Sequence, residues 1–166
     1  MVKNKKEKEV HRRYGKLAET IHPYYDNLDL RPLSEMDDDA FAYIIKNVKG
    51  VNMLDLNETE IGNKSIELLT KLEYINELRV KDCKHIDNGC MESLGQLRSL
   101  RFLHLNGTGI TIDGLLQLRD LPELKTLLFS ADNQELIMDK IQQLHQQLPA
   151  CELIINSRPW IFPSNC

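Results

Sequence analysis

Leucine recurs at positions 54, 78, 103 and 127, at steps of 24, 25 and 24 residues. Each is followed two residues later by a second apolar side chain, giving Leu54-x-Leu56, Leu78-x-Val80, Leu103-x-Leu105 and Leu127-x-Phe129. Each is preceded three residues earlier by another, namely Val51, Ile75, Leu100 and Leu124. The residues that follow keep step as well: Thr59 and Ile61, Cys83 and Ile86, Thr108 and Ile110. A partial unit, Leu153-x-Ile155, arrives 26 residues after Leu127, and Leu28-x-Leu30 opens the series. On a strand, alternate side chains share a face, so Leu54 and Leu56 point inward and Asp55 points outward. One such unit cannot bury its own apolar face; stacking several makes a continuous core.

The segments between strands carry helical spacing. Ser34 is placed to cap a helix whose apolar face is Met36, Ala40, Phe41, Ile44 and Ile45, with Gly50 after its end. Asn63 precedes Ile66 and Leu69, Asp87 precedes Met91 and Leu94, and Thr111 precedes Leu115 and Leu118. Asp132-x-x-Glu135 fits a capping box ahead of Ile137, Ile141, Leu144 and Leu148, with Pro149 as the stop. A stack of units needs closed ends. Val10, Tyr14, Leu17 and Ile21 form one face of a helix that can cap the first unit. Trp160, Ile161 and Phe162 can lie across the last.

The step and the pattern over residues 28–156 resemble the leucine-rich repeat, whose units run 20–29 residues. The resemblance implies a short α/β leucine-rich-repeat solenoid, with a parallel β-sheet on the concave side, helices on the convex side and a helical N-terminal cap. The expected organisation is a basic N-terminal arm and capping helix over 1–27, the repeat domain over 28–156 and a C-terminal tail over 157–166. Leu78-x-Val80-x-x-Cys83-x-x-Ile86-x-x-Gly89-x-x-x-x-Leu94 is similar to the cysteine-containing subtype, in which the cysteine points into the turn between strand and helix. The stretch Lys81-Asp82-Cys83-Lys84-His85-Ile86-Asp87-Asn88-Gly89-Cys90 is similar to the repeat region of mitochondrial ATP synthase coupling factor B and the related distal membrane-arm assembly protein. That resemblance implies a non-catalytic assembly or coupling factor. The third unit, Asn106-Gly107-Thr108-Gly109-Ile110, is shorter at the turn than the equivalent in that family. A bacterial protein with the same repeat subtype is the other reading of these residues. The subtype also occurs in ubiquitin-ligase adaptors, but nothing before residue 28 resembles their docking domain.

Charge is unevenly placed. Residues 1–13 hold six basic side chains (Lys3, Lys5, Lys6, Lys8, Arg12, Arg13) against Glu7 and Glu9, whereas the whole chain is at −4, so the body is acidic. An acidic body argues against nucleic-acid binding, which needs a basic footprint. The basic arm leaves weak membrane contact as the alternative function, salt-sensitive in character. No apolar run approaches a membrane span, and the first residues lack a secretory core. The expected compartment is the cytoplasm, with the mitochondrial matrix as the alternative that the resemblance implies. In either, Cys83, Cys90, Cys151 and Cys166 are expected as thiols.

Chemistry-bearing residues read as structural. Cys83, His85 and Cys90 fall within eight residues, but C-x-H-x4-C lacks the four-ligand pattern of structural zinc, so no metal is expected. Cys83 instead takes the slot of Thr59 and Thr108, where a buried thiol is inert. Asn106-Gly107-Thr108-Gly109 lacks the P-loop lysine and reads as a turn. Asp37, Asp38 and Asp39 stand where a helix dipole favours negative charge, without the spacing of a calcium loop. No cofactor, small-molecule substrate or catalytic residue is expected; a remote alternative places an enzyme site on the sheet with His104, Asp55 and Arg79.

The sharper expectation concerns the outward sheet face. Strands of neighbouring units stack about 4.8 Å apart, so equivalent positions align. The central ladder reads Asp55, Arg79, His104, Leu128, Ile154; the one before it Met53, Glu77, Phe102, Thr126, Glu152; the one after it Asn57, Lys81, Asn106, Ser130, Asn156. The face passes from charged to apolar, and Arg79 and Phe102 are side chains of the kind that anchor interfaces. The expected function is a protein–protein interaction scaffold whose partner contacts Asp55, Glu77, Arg79, Lys81, Phe102, His104 and Leu128. The competing reading is that Asp55 and Arg79 merely pair across strands.

Overall fold

In the computed structural model, which describes residues 5–119, 121–132 and 137–161, each L-x-L stretch begins on a strand. The strands are β1 (Tyr24–Asp29), β2 (Gly50–Asp55), β3 (Tyr74–Arg79), β4 (Phe102–His104), β5 (Thr126–Phe129), β6 (Glu152–Ile155) and β7 (Arg158–Pro159). The helices are α1 (Lys5–Thr20), α2 (Asp38–Ile44), α3 (Asn63–Leu69), α4 (Met91–Gly95), α5 (Ile112–Leu115) and α6 (Met138–Gln147). The fold is therefore α/β. Among the described residues the strands form one sheet whose spatial order equals chain order. β1 to β6 are parallel, and β7 returns antiparallel along β6. Parallel neighbours need a crossover of a dozen residues or more, which the helical segments supply.

Two of the three expected ladders are in register, and the third, Asn57, Lys81, Asn106, Ser130 and Asn156, lies just past the strand ends. Met53, Glu77, Phe102, Thr126 and Glu152 align, as do Asp55, Arg79, His104, Leu128 and Ile154, and β1 extends both with Asn27 and Asp29. Pairing skips Asp26, Asn52 and Asn76. The break in alternation there lets Val51 and Leu54, three residues apart, both point inward and lie fully buried. The skipped side chains bond to one another: Asn76 Nδ2 donates to Asn52 Oδ1 at 2.8 Å, and Asn52 Nδ2 donates to Asp26. The core is one aliphatic cluster running through every unit, with Phe41 and Phe129 its largest fully buried side chains.

After β2, β3 and β4 the chain turns through a left-handed residue. Glu58, Asp82 and Gly107 have φ of 61°, 59° and 71°, and each lies four residues past its inward leucine. Only the third is the residue type this conformation favours. A Cβ on Gly107 would also meet Asp82 Oδ1 at 2.2 Å. Gly107→Ala is expected to lower stability by about 1–2 kcal/mol, from the left-handed penalty and the displaced carboxylate. Urea unfolding measures it, and an unchanged midpoint would contradict the turn geometry.

Helix starts differ from expectation in instructive ways. Asp37, not Ser34, caps α2, accepting from Ala40 N at 2.9 Å. Gly50 does not end that helix; it opens β2 beneath the ring of Tyr74, where a Cβ would lie 2.4 Å from Cε1. Asp38 reaches across to the next unit, and its Oδ1 accepts from Gly62 N at 2.8 Å and Ser65 N at 3.1 Å. Further along, Asp87 N donates to Asn63 Oδ1, and Thr111 N donates to Asn88 Oδ1. The Thr111 helix is shorter than expected: α5 has four residues, and Leu118 is buried beyond its end. Glu135 of the proposed capping box lies outside the described residues, and Ile137 precedes α6 without a side-chain cap bond.

At the N-terminal end, α1 packs on α2. Tyr14 is buried, and Val10, Leu17 and Ile21 lie partly buried against the core. Lys6 pairs with Asp37 (3.3 Å) and Asp39, and Arg13 pairs with Glu35. At the other end, Asn156 and Ser157 (φ 50° and 65°) make a two-residue reversal into β7. Trp160 N donates to Leu153 O at 2.8 Å, and its side chain is partly buried against the core. Ile161, expected to cover the last unit, is 84% exposed. Lys3, Phe162 and Cys166 lie outside the described residues.

Candidate partner-binding face

The middle strands β3 to β5 present the outward side chains named from the sequence. Arg79 and its neighbours sit there because inward Leu78, Leu103 and Leu127, all fully buried, leave the flanking positions on the opposite face. Arg79 does not pair with Asp55. Its Nη2 donates to Glu77 Oε2 at 3.2 Å, and its guanidinium lies over the Phe102 ring, 5.1 Å from the centroid. His104 stands edge-on to the same ring, with centroids 6.4 Å apart. Lys81 Nζ lies 3.6 Å from Asp82 Oδ2, while Lys84 Nζ sits 2.6 Å from Asp82 Oδ1 and donates to Gly107 O. Leu128 and Ile154 continue the face as half-buried apolar side chains.

Asp55 corrects the expectation of an exposed carboxylate. It is 5% exposed, accepts from Asn57 N at 3.1 Å and lies 3.5 Å from Arg31 Nε. The physical reason is Arg31, which comes from the turn after β1. Its Nη2 is 2.7 Å from Asp29 Oδ2, and the guanidinium holds the Asp29 carboxyl below its usual range. Arg31 is absent from the ladder reading because the ladders begin at the second unit; it is the first-unit counterpart of Asn57, three residues past Leu28. Glu77, Arg79, Lys81, Phe102, His104 and Leu128 are all half-buried and so more accessible than Asp55.

Three polar atoms on this face are buried with no hydrogen-bond partner among the described residues: Arg79 Nε, His104 Nε2 and Asn106 Oδ1. Burial, with the positive charges of Lys81 and Arg79 behind it, pushes the His104 imidazole below its ordinary value, outweighing Asp55 and Asp82. The ring is therefore neutral near pH 7.

The sulfur chemistry is closed in. Cys83 is fully buried, and its Sγ donates to Leu56 O at 3.1 Å, the same carbonyl that Thr59 Oγ1 engages at 2.7 Å. Thr108 makes the matching bond to Leu105 O. Burial pushes the Cys83 thiol up, and those of Cys90 and Cys151 up to about 12. A thiol-disulfide reagent should therefore leave these three unmodified in a native Cys166→Ser chain and react with all three in denaturant. Rapid native reaction at any of them would contradict the packing. His85 is turned to Glu60, with Nε2 2.9 Å from Oε2. Among the described residues no group of three or more His, Cys, Asp or Glu side chains is placed to hold a metal ion, and no helix is long and apolar enough to cross a membrane.

No protein-family profile matches the chain, and no curated protein is similar to it at a significant level.

Proposed function

We propose that the chain is a short leucine-rich-repeat solenoid acting as a non-catalytic interaction scaffold, an adaptor or assembly factor that holds a partner protein against its outward sheet face. The observation that carries this reading is the run Arg79, Phe102, His104 and Leu128 across three neighbouring strands, with an arginine stacked on an aromatic ring beside half-buried aliphatic side chains. Arginine and aromatic residues dominate binding energy at interfaces. A repeat array supplies such a surface as the by-product of its register. The catalytic alternative loses support because Asp55 is engaged by Arg31 and Asn57 rather than by His104. The membrane alternative loses support because Lys6 and Arg13 of α1 are paired within the fold. The cytoplasm, or the mitochondrial matrix, is the compartment proposed with this role.

The test is affinity capture from native lysate with the intact chain and with an Arg79→Glu/Phe102→Ala variant, each first shown to be folded by circular dichroism. The expected result is a partner retained by the first and lost by the second. Equal retention by both would move the site off this face, to the helix side or the basic arm.

A further inference from the structure

Four polar side chains meet at the centre of the outward face: Arg79 and Lys81 on and just after β3, His104 and Asn106 on and just after β4. Three of them carry an atom without a partner among the described residues. Asn106 is 8% exposed, and among the described residues its side-chain amide reaches only Ser157 Oγ, at 3.5 Å. Arg79 is held by Glu77 through one nitrogen and by Phe102 through its face. The Lys81 side chain is 43% exposed and its ion pair to Asp82 is loose. Of the unpaired atoms Arg79 Nε donates, His104 Nε2 donates in one tautomer and Asn106 Oδ1 accepts, while two of the four residues, Arg79 and Lys81, are cations. Unpaired buried polar groups are costly, so this is where a complementary group gains most.

We propose, resting on the sheet-face reading above, that this quartet receives a carboxylate side chain from a partner segment, with an apolar neighbour of that residue lying on Phe102 and Leu128. One negative charge suits the site better than two, because Glu77, Asp55 and Asp82 already surround it. An internal Glu or Asp suits it better than a chain end, because the quartet lies mid-sheet with β2 and β5 on either side. An arriving carboxylate also favours the charged imidazole, which the fold alone disfavours.

The test uses three pentapeptides with blocked ends, Ala-Leu-Glu-Leu-Ala and its Gln and Lys counterparts, titrated into the full chain by two-dimensional NMR. The expected result is saturable shifts at Arg79, His104 and the Asn106 amide with the Glu peptide. Affinity should fall about tenfold or more for the Gln peptide, as for loss of a charge-assisted hydrogen bond. Arg79→Gln and Lys81→Gln should erase that difference, and the His104 pKa should rise on Glu-peptide binding. Equal binding of the Glu and Gln peptides, preference for Lys, or no shift on this face up to about 10 mM, a scale still weaker than millimolar affinity, would overturn the carboxylate proposal. If Arg79→Glu/Phe102→Ala still loses a captured partner in that event, the sheet-face reading stands and only the chemistry falls. Shifts confined to α1 or the other helices would sink both.

Discussion

Replacing Phe41 with alanine is expected to lower folding stability by about 3–5 kcal/mol, the usual range for deleting a buried phenyl group. The ring is fully buried and sits on α2, the helix that packs both on α1 and on α3. Its loss removes apolar burial and leaves a cavity where the N-terminal cap meets the first units. Small domains are stable by only about 5–15 kcal/mol, so the change is a large fraction of the whole. Urea unfolding of purified chains reads it as a lower midpoint with an unchanged slope. A loss below about 1 kcal/mol, well under the range for such a cavity, would mean that α2 is not seated on the core as described.

The second large effect is expected at Asp38. Its Oδ1 serves Gly62 N, Ser65 N and the Ser65 hydroxyl, and Ser65 is fully buried. Asp38→Ala deletes the cap of α3 and strands those donors, for an expected loss of about 2–3 kcal/mol. Asp38→Asn keeps the acceptor atom and should lose about 1 kcal/mol or less, from the weaker neutral bond. Chemical unfolding of the two variants separates the roles. If both lose the same amount, the carboxylate acts through charge alone and the hydrogen bonds carry nothing.

The ladders are legible in the sequence because two periods coincide. Side chains alternate along a strand, and Leu54, Leu78, Leu103 and Leu127 repeat between strands, so naming one outward residue names its neighbours. Cys83 is legible for the same reason, through Thr59 and Thr108. What the pattern could not carry is contact between residues at unrelated positions. Arg31 holds the position equivalent to Asn57, but the register does not say that a long side chain there folds back over Asp55 of the next strand. Asp38 caps a helix 24 residues downstream, which no local capping rule detects. With three aspartates in a row, Asp37 caps α2 while Asp38 and Asp39 stand in its first turn. Outward also proved different from exposed, because a long side chain folded down from a turn can bury a short carboxylate.

Strand order equal to chain order has a mechanical meaning. Among the described residues each strand pairs only with the strands before and after it in the chain, so no strand pairing clamps distant parts of the chain together. Tension applied to the two termini loads those seams in series. The chain should then yield in steps of about one strand and its following helical segment, starting from an end, and extend like a ratchet rather than snapping open at a single force.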